Sequence, residues 1–186
     1  MRNGQTLVRV VVMVGVLAAG AAGLEAACAA GPPPSSAGGP TAAERLSAQE
    51  EQLRTTLAPT AAVVVRSEKS LELWYPVRLA FVPDGNELLP TGAMLLDLVA
   101  RSLREYTHSE VVVAVYTDAI GSSDYNQSQS QARATVLVQE LAARGVAAAR
   151  LVARGMGESA QLEAPKTPEG RDLNRRVQLV ITPLSS

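Results

Sequence analysis

Glu110-Val111-Val112-Val113-Ala114-Val115-Tyr116-Thr117-Asp118, with Asn126, Arg133 and Gly145 downstream of it, is the stretch that decides how this chain folds. Residues 110–116 are Val and Ala with little polarity, the pattern of a strand buried on both faces, so a central strand with a parallel neighbour is predicted there. A polar turn spans residues 117–124. Ser122 or Ser123 then caps a helix in which Ser130, Ala134, Leu137 and Leu141 recur at i+4, i+3 and i+4, and Gly145 after Arg144 is a natural C-terminal stop.

Working outward from this strand, turn and helix, residues 150–154 read as a further sheet segment, Gly155-Met156-Gly157-Glu158 as a turn, residues 169–173 as a short helix and residues 176–182 as the closing strand. On the N-terminal side, residues 62–66 and 71–77 are short apolar or alternating runs joined by Ser67-Glu68-Lys69-Ser70, which predicts a hairpin. Asp84-Gly85 marks a turn, Thr91 offers a cap, and Leu95, Val99, Leu103 and Tyr106 lay one apolar stripe along a helix ending near Tyr106. The expected class is α+β, a two-layer domain with helices packed on one face of a mixed β-sheet.

Composition narrows the functions available. Of 186 residues, 47% are hydrophobic and 19% charged, enough apolar material for one ordinary core with appendages. Seventeen Lys and Arg stand against 18 Asp and Glu, a net charge of -1, so no long-range field recruits nucleic acid. Cys28 is the single cysteine and His108 the single histidine. Neither an internal disulfide nor a Cys/His metal site or dyad is expected, no cofactor is implied, and His108 reads as a surface loop residue.

The N-terminus has the layout of an export signal. Arg2 and Arg9 precede an apolar run over residues 10–24, shorter than the roughly 20 residues a membrane-spanning helix needs. A signal peptide is expected over residues 1–27. Cys28 follows Ala26-Ala27, with Leu24 four positions before it, and this resembles the lipobox of bacterial lipoproteins, in which the cysteine becomes the lipidated first residue. The resemblance implies lipidation of Cys28 and, with Ala29 after it rather than Asp, the outer membrane. Ala27-Cys28-Ala29 also fits an ordinary signal-peptidase step. Residues 28–40, rich in Gly, Pro, Ser and Ala, form a flexible linker reaching on the order of 30–40 Å at about 3.1 Å per residue. Residues 41–58 form a short amphipathic helix, capped by Thr41, with Leu46, Leu53 and Leu57 on one stripe that could pack on the domain, pair with another copy or extend the spacer, a loosely docked helix being the expected arrangement. The folded domain is expected over residues 61–184.

Tyr116-Thr117-Asp118, Asn126, Arg133, Thr167-Pro168-Glu169-Gly170-Arg171 and Asn174-Arg175-Arg176-Val177 are separately spaced motifs. Together they resemble the OmpA-like peptidoglycan-binding domain, over roughly residues 63–183, as found in outer-membrane lipoproteins of the peptidoglycan-associated type. The resemblance implies that Asp118 meets the ammonium and Arg133 the carboxylate of a diaminopimelate residue in the peptidoglycan stem peptide. It implies also that Thr117 orders the loop, that Arg175 lies near the ligand, and that Asn174 and Arg176 are supports. Val115-Tyr116 stand where the family carries Gly-His, and Gln129 where it carries Leu.

Spacing adds that Asn126 and Arg133 lie two turns apart on one helix face, about 10 Å at 1.5 Å per residue, with Asp118 on the loop feeding that helix. A guanidinium fork matches a carboxylate bidentately. Taken singly, Asp118 reads equally as the start of an Asx-turn, Asn126 as a surface residue, and Arg133 as half of an exposed ion pair worth at most about 1 kcal/mol. Their joint occurrence favours binding. Gly155-Met156-Gly157 lacks the Lys and the Ser or Thr of a phosphate loop and reads as structural.

The expected function is therefore non-covalent peptidoglycan binding that tethers the outer membrane, at its periplasmic face, to the cell wall. The alternative is an envelope adaptor that has lost wall binding and recruits a protein partner through the helix over residues 41–58. A wall hydrolase is disfavoured, because no zinc ligand set, Cys–His pair or Ser triad is recognisable.

Overall fold

The computed structural model describes residues 39–162 and 167–184. The expected signal peptide, Cys28 and the linker up to residue 38 lie outside the described residues.

Helix α1 (Ala42–Leu57) begins with a reciprocal cap: Glu44 N–H donates to Thr41 Oγ1 at 3.2 Å, and Thr41 N–H donates back to Glu44 Oε2 at 2.7 Å. These bonds hold the exposed Glu44 carboxyl below its ordinary pKa. Leu46, Leu53 and Leu57 are buried, and between them Gln49, 2% exposed, donates to the Ser102 hydroxyl. The loose docking expected of this helix is thus corrected. Its stripe joins the one continuous core, and each fully buried Leu contributes roughly 1.5–3 kcal/mol.

Strands β1 (Val63–Arg66) and β2 (Leu71–Pro76) form an antiparallel hairpin closed by Ser67 N–H donating to Ser70 O. A 3₁₀ turn over Val77–Leu79 follows, and then a loop pinned by the Phe81–Leu88 bridge, with Asp84 at φ 54°. Helix α2 (Pro90–Glu105) starts on Pro90, which places the cap at Leu89. Thr91, expected as the cap, instead donates its hydroxyl to Leu79 O at 2.7 Å and ties the helix to the preceding turn.

The remaining elements are β3 (Ser109–Tyr116), α3 (Ser123–Ala143), β4 (Leu151–Gly157), α4 (Pro168–Asn174) and β5 (Arg176–Pro183). Ser122 caps α3, and Gly145, at φ 87°, ends its last turn. The sheet order is β1-β2-β5-β3-β4, antiparallel throughout except for the β3–β4 pair. The fold is α+β, helices packed on a mixed sheet. Residues facing the helices, among them Leu73, Tyr75, Leu179, Ile181, Val111 and Val113, are buried, whereas Trp74, Gln178, Val180 and Val112 on the other face are half-buried.

Two sheet expectations change. The central strand is β5, not β3, because the C-terminal segment inserts between β2 and β3. Burial of β3 on both faces is confined to its end, Ala114 to Tyr116. The second change concerns Gly155-Met156-Gly157, expected as a turn, which continues β4. Helix α3 presses so closely there that a Cβ on Gly155 would lie 2.3 Å from Gln131 N, so only glycine lets strand and helix meet. The outer edge of β4 is then sealed by side chains of α3. Gly155 N–H donates to Gln131 Oε1, Gln127 donates to Gly155 O, and Gly157 N–H donates to Ser130 Oγ.

Candidate functional site

The end of β3 delivers Thr117 and Asp118 to the mouth of a cavity of about 730 Å³, walled by the first half of α3, the loop around Asp84 and the end of α4. All five site residues expected from sequence line it: Thr117, Asp118, Asn126, Arg133 and Arg175. So do Asp84, Asp172 and Arg78, which the sequence reading did not single out. Three acids and three arginines thus face one groove.

Each charged group is held by its own framework. Thr117 N–H donates to Gly157 O and its carbonyl accepts from Gln161, so the loop is stitched to β4 and to the segment after it. Its hydroxyl, in a residue 4% exposed, makes no hydrogen bond. Asp118 does what an Asx-turn residue does, accepting from Ile120 N–H at Oδ1, but its Oδ2 accepts from Arg175 Nη1 at 2.9 Å. Arg175 also pairs with Asp172, and Asp172 lies 3.5 Å from Arg78. The result is an alternating row, Arg78–Asp172–Arg175–Asp118. Its Arg175–Asp172 link had a sequence signal, the i, i+3 spacing on a short helix; the Asp118–Arg175 link, 57 positions apart, had none.

Asn126 is 2% exposed rather than at the surface. Its amide donates to Glu158 Oε2 at 2.8 Å and to Asp118 O at 3.4 Å, fixing the loop that carries the carboxylate.

Arg133 does not pair with Asp118. Nε donates to Gly85 O at 3.0 Å, and the guanidinium lies 5.5 Å from the centre of the Phe81 ring. Among the described residues no carboxylate comes within 4.0 Å of it, and its two Nη groups make no hydrogen bond. Burial is the main cause that lowers its pKa, with the Arg175 charge adding to it while Tyr125 and Asp84 oppose. A cation so placed is short of an anion.

Asn174 and Arg176 sit behind the groove. Asn174 is fully buried and accepts from Leu162 N–H at 2.8 Å. Arg176 stacks 3.7 Å above the Tyr116 ring and 5.5 Å from Trp74, and donates from Nη1 to Ala160 O and Asn174 O. Tyr116 is therefore a packing partner for Arg176. Among the described residues no cluster of His, Cys, Asp or Glu could hold a metal ion.

The sequence model described as the OmpA family matches residues 80–175, which include Thr117, Asp118, Asn126, Arg133 and Arg175. This chain belongs to the OmpA family. It is 35% identical over 139 residues to the probable lipoprotein YiaD of Escherichia coli, covering 75% of this chain and 64% of YiaD. With the peptidoglycan-binding protein ArfA of Mycobacterium tuberculosis, identity is 37% over 103 residues, covering 55% of this chain and 32% of ArfA. The match thus spans less than two thirds of either relative's length. Among solved structures, the cell wall anchor of the T6SS from Pseudomonas aeruginosa shares the fold, with a TM-score of 0.65 at 23% identity over 73% of this chain and 96% of that one.

Proposed function

We propose that this OmpA-family domain binds peptidoglycan non-covalently, by gripping the zwitterionic head of a diaminopimelate residue in the stem peptide. The observation that carries this reading is the unpaired Arg133 guanidinium in the same groove as the buried Asp118 carboxylate. A ligand carboxylate supplies the anion that Arg133 lacks, through the two Nη groups, while Nε keeps the side chain anchored on Gly85 O. The ligand ammonium joins Asp118, beside or in place of Arg175, and the unpartnered Thr117 hydroxyl offers one more polar contact. ArfA, a relative described as peptidoglycan-binding, supports the substrate class.

On this reading the chain is an envelope tether. Lipid on Cys28 would hold it to the outer membrane at the periplasmic face, and residues 28–40 would give it reach to the wall. Metabolic labelling with a fatty acid, lost in Cys28→Ser, tests the anchor. The wall contact is tested by pelleting the purified chain with isolated sacculi. Wild type should sediment and the Asp118→Ala, Arg133→Ala double variant should stay in solution; equal sedimentation removes the assignment. The alternative adaptor reading gains no support from α1, whose apolar stripe is covered by the domain's own core.

A further inference from the structure

Tyr125, Gln129 and Arg133 follow one another at i, i+4 and i+8, so they form a single row along α3, and all three line the groove. Arg133 is absorbed by the reading above; the other two are not. Tyr125 is 52% exposed, unusual for the largest side chain on that wall, and its hydroxyl accepts from Gln129 Nε2 at 2.8 Å. The ring is therefore held at the groove by its hydroxyl while half of the residue stays exposed. Ile120, which lines the same groove, is 61% exposed, and Gly121 brings only backbone toward the ring, where an added Cβ would lie 3.7 Å from Tyr125 Cδ1. Along the helix axis the Gln129 amide thus stands one turn, about 6 Å, from Arg133, and the Tyr125 ring of the apolar lip about two turns, roughly 12 Å.

We infer that Tyr125 and Gln129 form a second subsite, which takes the peptide segment carrying the zwitterion. The inference rests on the proposed grip of diaminopimelate by Asp118 and Arg133. In that amino acid, four carbon–carbon bonds separate the free zwitterionic centre from the centre built into the peptide chain, about 5 Å when extended. A head group seated at Arg133 therefore brings a backbone amide of the stem peptide level with Gln129. The Gln129 amide carries both a donor and an acceptor, the complement of a peptide group. The Tyr125 ring and Ile120 cover a small apolar side chain on the adjoining residue, and a rigid aromatic does this at little entropic cost. The glycan is the less suitable occupant. It joins the stem peptide at its other end, residues further away at about 3.3–3.6 Å each.

The test compares two probes by calorimetry on the purified chain: free diaminopimelate, and a sugar-free stem tetrapeptide containing it. Wild type should bind the tetrapeptide more tightly than the free amino acid by roughly three- to tenfold, the worth of one or two hydrogen bonds with apolar contact. In Gln129→Leu and in Tyr125→Ala that ratio should collapse toward one. Gln129→Glu, which keeps the side-chain shape, should lower it too, and an unchanged circular dichroism spectrum certifies the fold. A wild-type ratio of one, or variants that keep the wild-type ratio, would overturn the subsite. A loss seen only with a sugar-bearing muropeptide would also overturn it, in favour of a glycan contact. Wild type that binds neither probe removes the diaminopimelate reading itself, and the subsite with it.

Discussion

Arg133 and Arg176 are the same residue type, each 5% exposed, each with burial lowering its pKa, yet their surroundings differ in one respect. Arg176 is enclosed: two aromatic rings lie against its guanidinium, and Nη1 is engaged by two carbonyls. Arg133 is fixed at one nitrogen and leaves its outer donors facing the groove. Burial alone therefore does not separate a supporting arginine from a binding one. What separates them is where the unused donors lie: those of Arg133 line the groove, whereas Arg176, whose buried Nε also lacks a partner, is packed under aromatic rings outside it.

The sharpest way to break this comparison is the wall contact. Asp118→Ala with Arg133→Ala should weaken sedimentation with sacculi by about 100-fold or more, since hydrogen bonds to charged groups are worth roughly 1.5–3 kcal/mol each. In thermal unfolding, Arg133→Ala alone should cost less than the matching change at Arg176, because it removes one hydrogen bond and one ring contact where Arg176→Ala removes two hydrogen bonds and two ring contacts. Equal losses of stability at the two sites would erase the distinction.

Next in size is the enclosed arginine. Arg176→Ala removes two ring contacts and leaves the carbonyls of Ala160 and Asn174 without their donor, so unfolding free energy should fall by roughly 2–4 kcal/mol. Chemical denaturation measures it. Binding to sacculi, assayed where the variant remains folded, should be reduced less than in the Asp118→Ala, Arg133→Ala variant.

The comparison also explains what the sequence made legible. The stripes of α1, α2 and α3, the apolar run of β3 and the stop at Gly145 are local patterns, and periodicity reports them directly. The spacing of Asn126 and Arg133 placed both on one helix face for the same reason. Sheet order is not local: nothing in residues 176–182 says that this strand enters the middle of the sheet and moves β3 off centre. Gly155 and Gly157 read as a turn because their cause is tertiary, the close approach of α3. The partner of Asp118 was likewise hidden, since Arg175 is brought to it by the fold and not by spacing.

That close approach gives a smaller effect on the supporting side. Gly155→Ala places a methyl against the backbone of Gln131 and should destabilise by roughly 1–3 kcal/mol, read from the urea midpoint. The Gln127 and Gln131 contacts to the β4 edge should loosen with it, so the amides of β4 should lose hydrogen-exchange protection ahead of those of β2. Protection unchanged in β4 would mean that the strand does not depend on the helix pressed against it.

The smallest effect is expected at the far end of the domain, where donors and acceptors are engaged reciprocally in the open. Thr41→Ala removes one half of the α1 cap and should lower stability by about 1 kcal/mol while leaving sedimentation with sacculi as in wild type. The other half carries a pH signature. Glu44 has its pKa depressed in the folded chain by its bonds to Thr41, so its contribution is present above the unfolded carboxyl value and is lost as pH falls through the folded value. The stability gap between wild type and Glu44→Gln should accordingly be open near neutral pH and close on acidification. A gap that widened as the pH fell would show that the carboxylate form is not the one α1 holds.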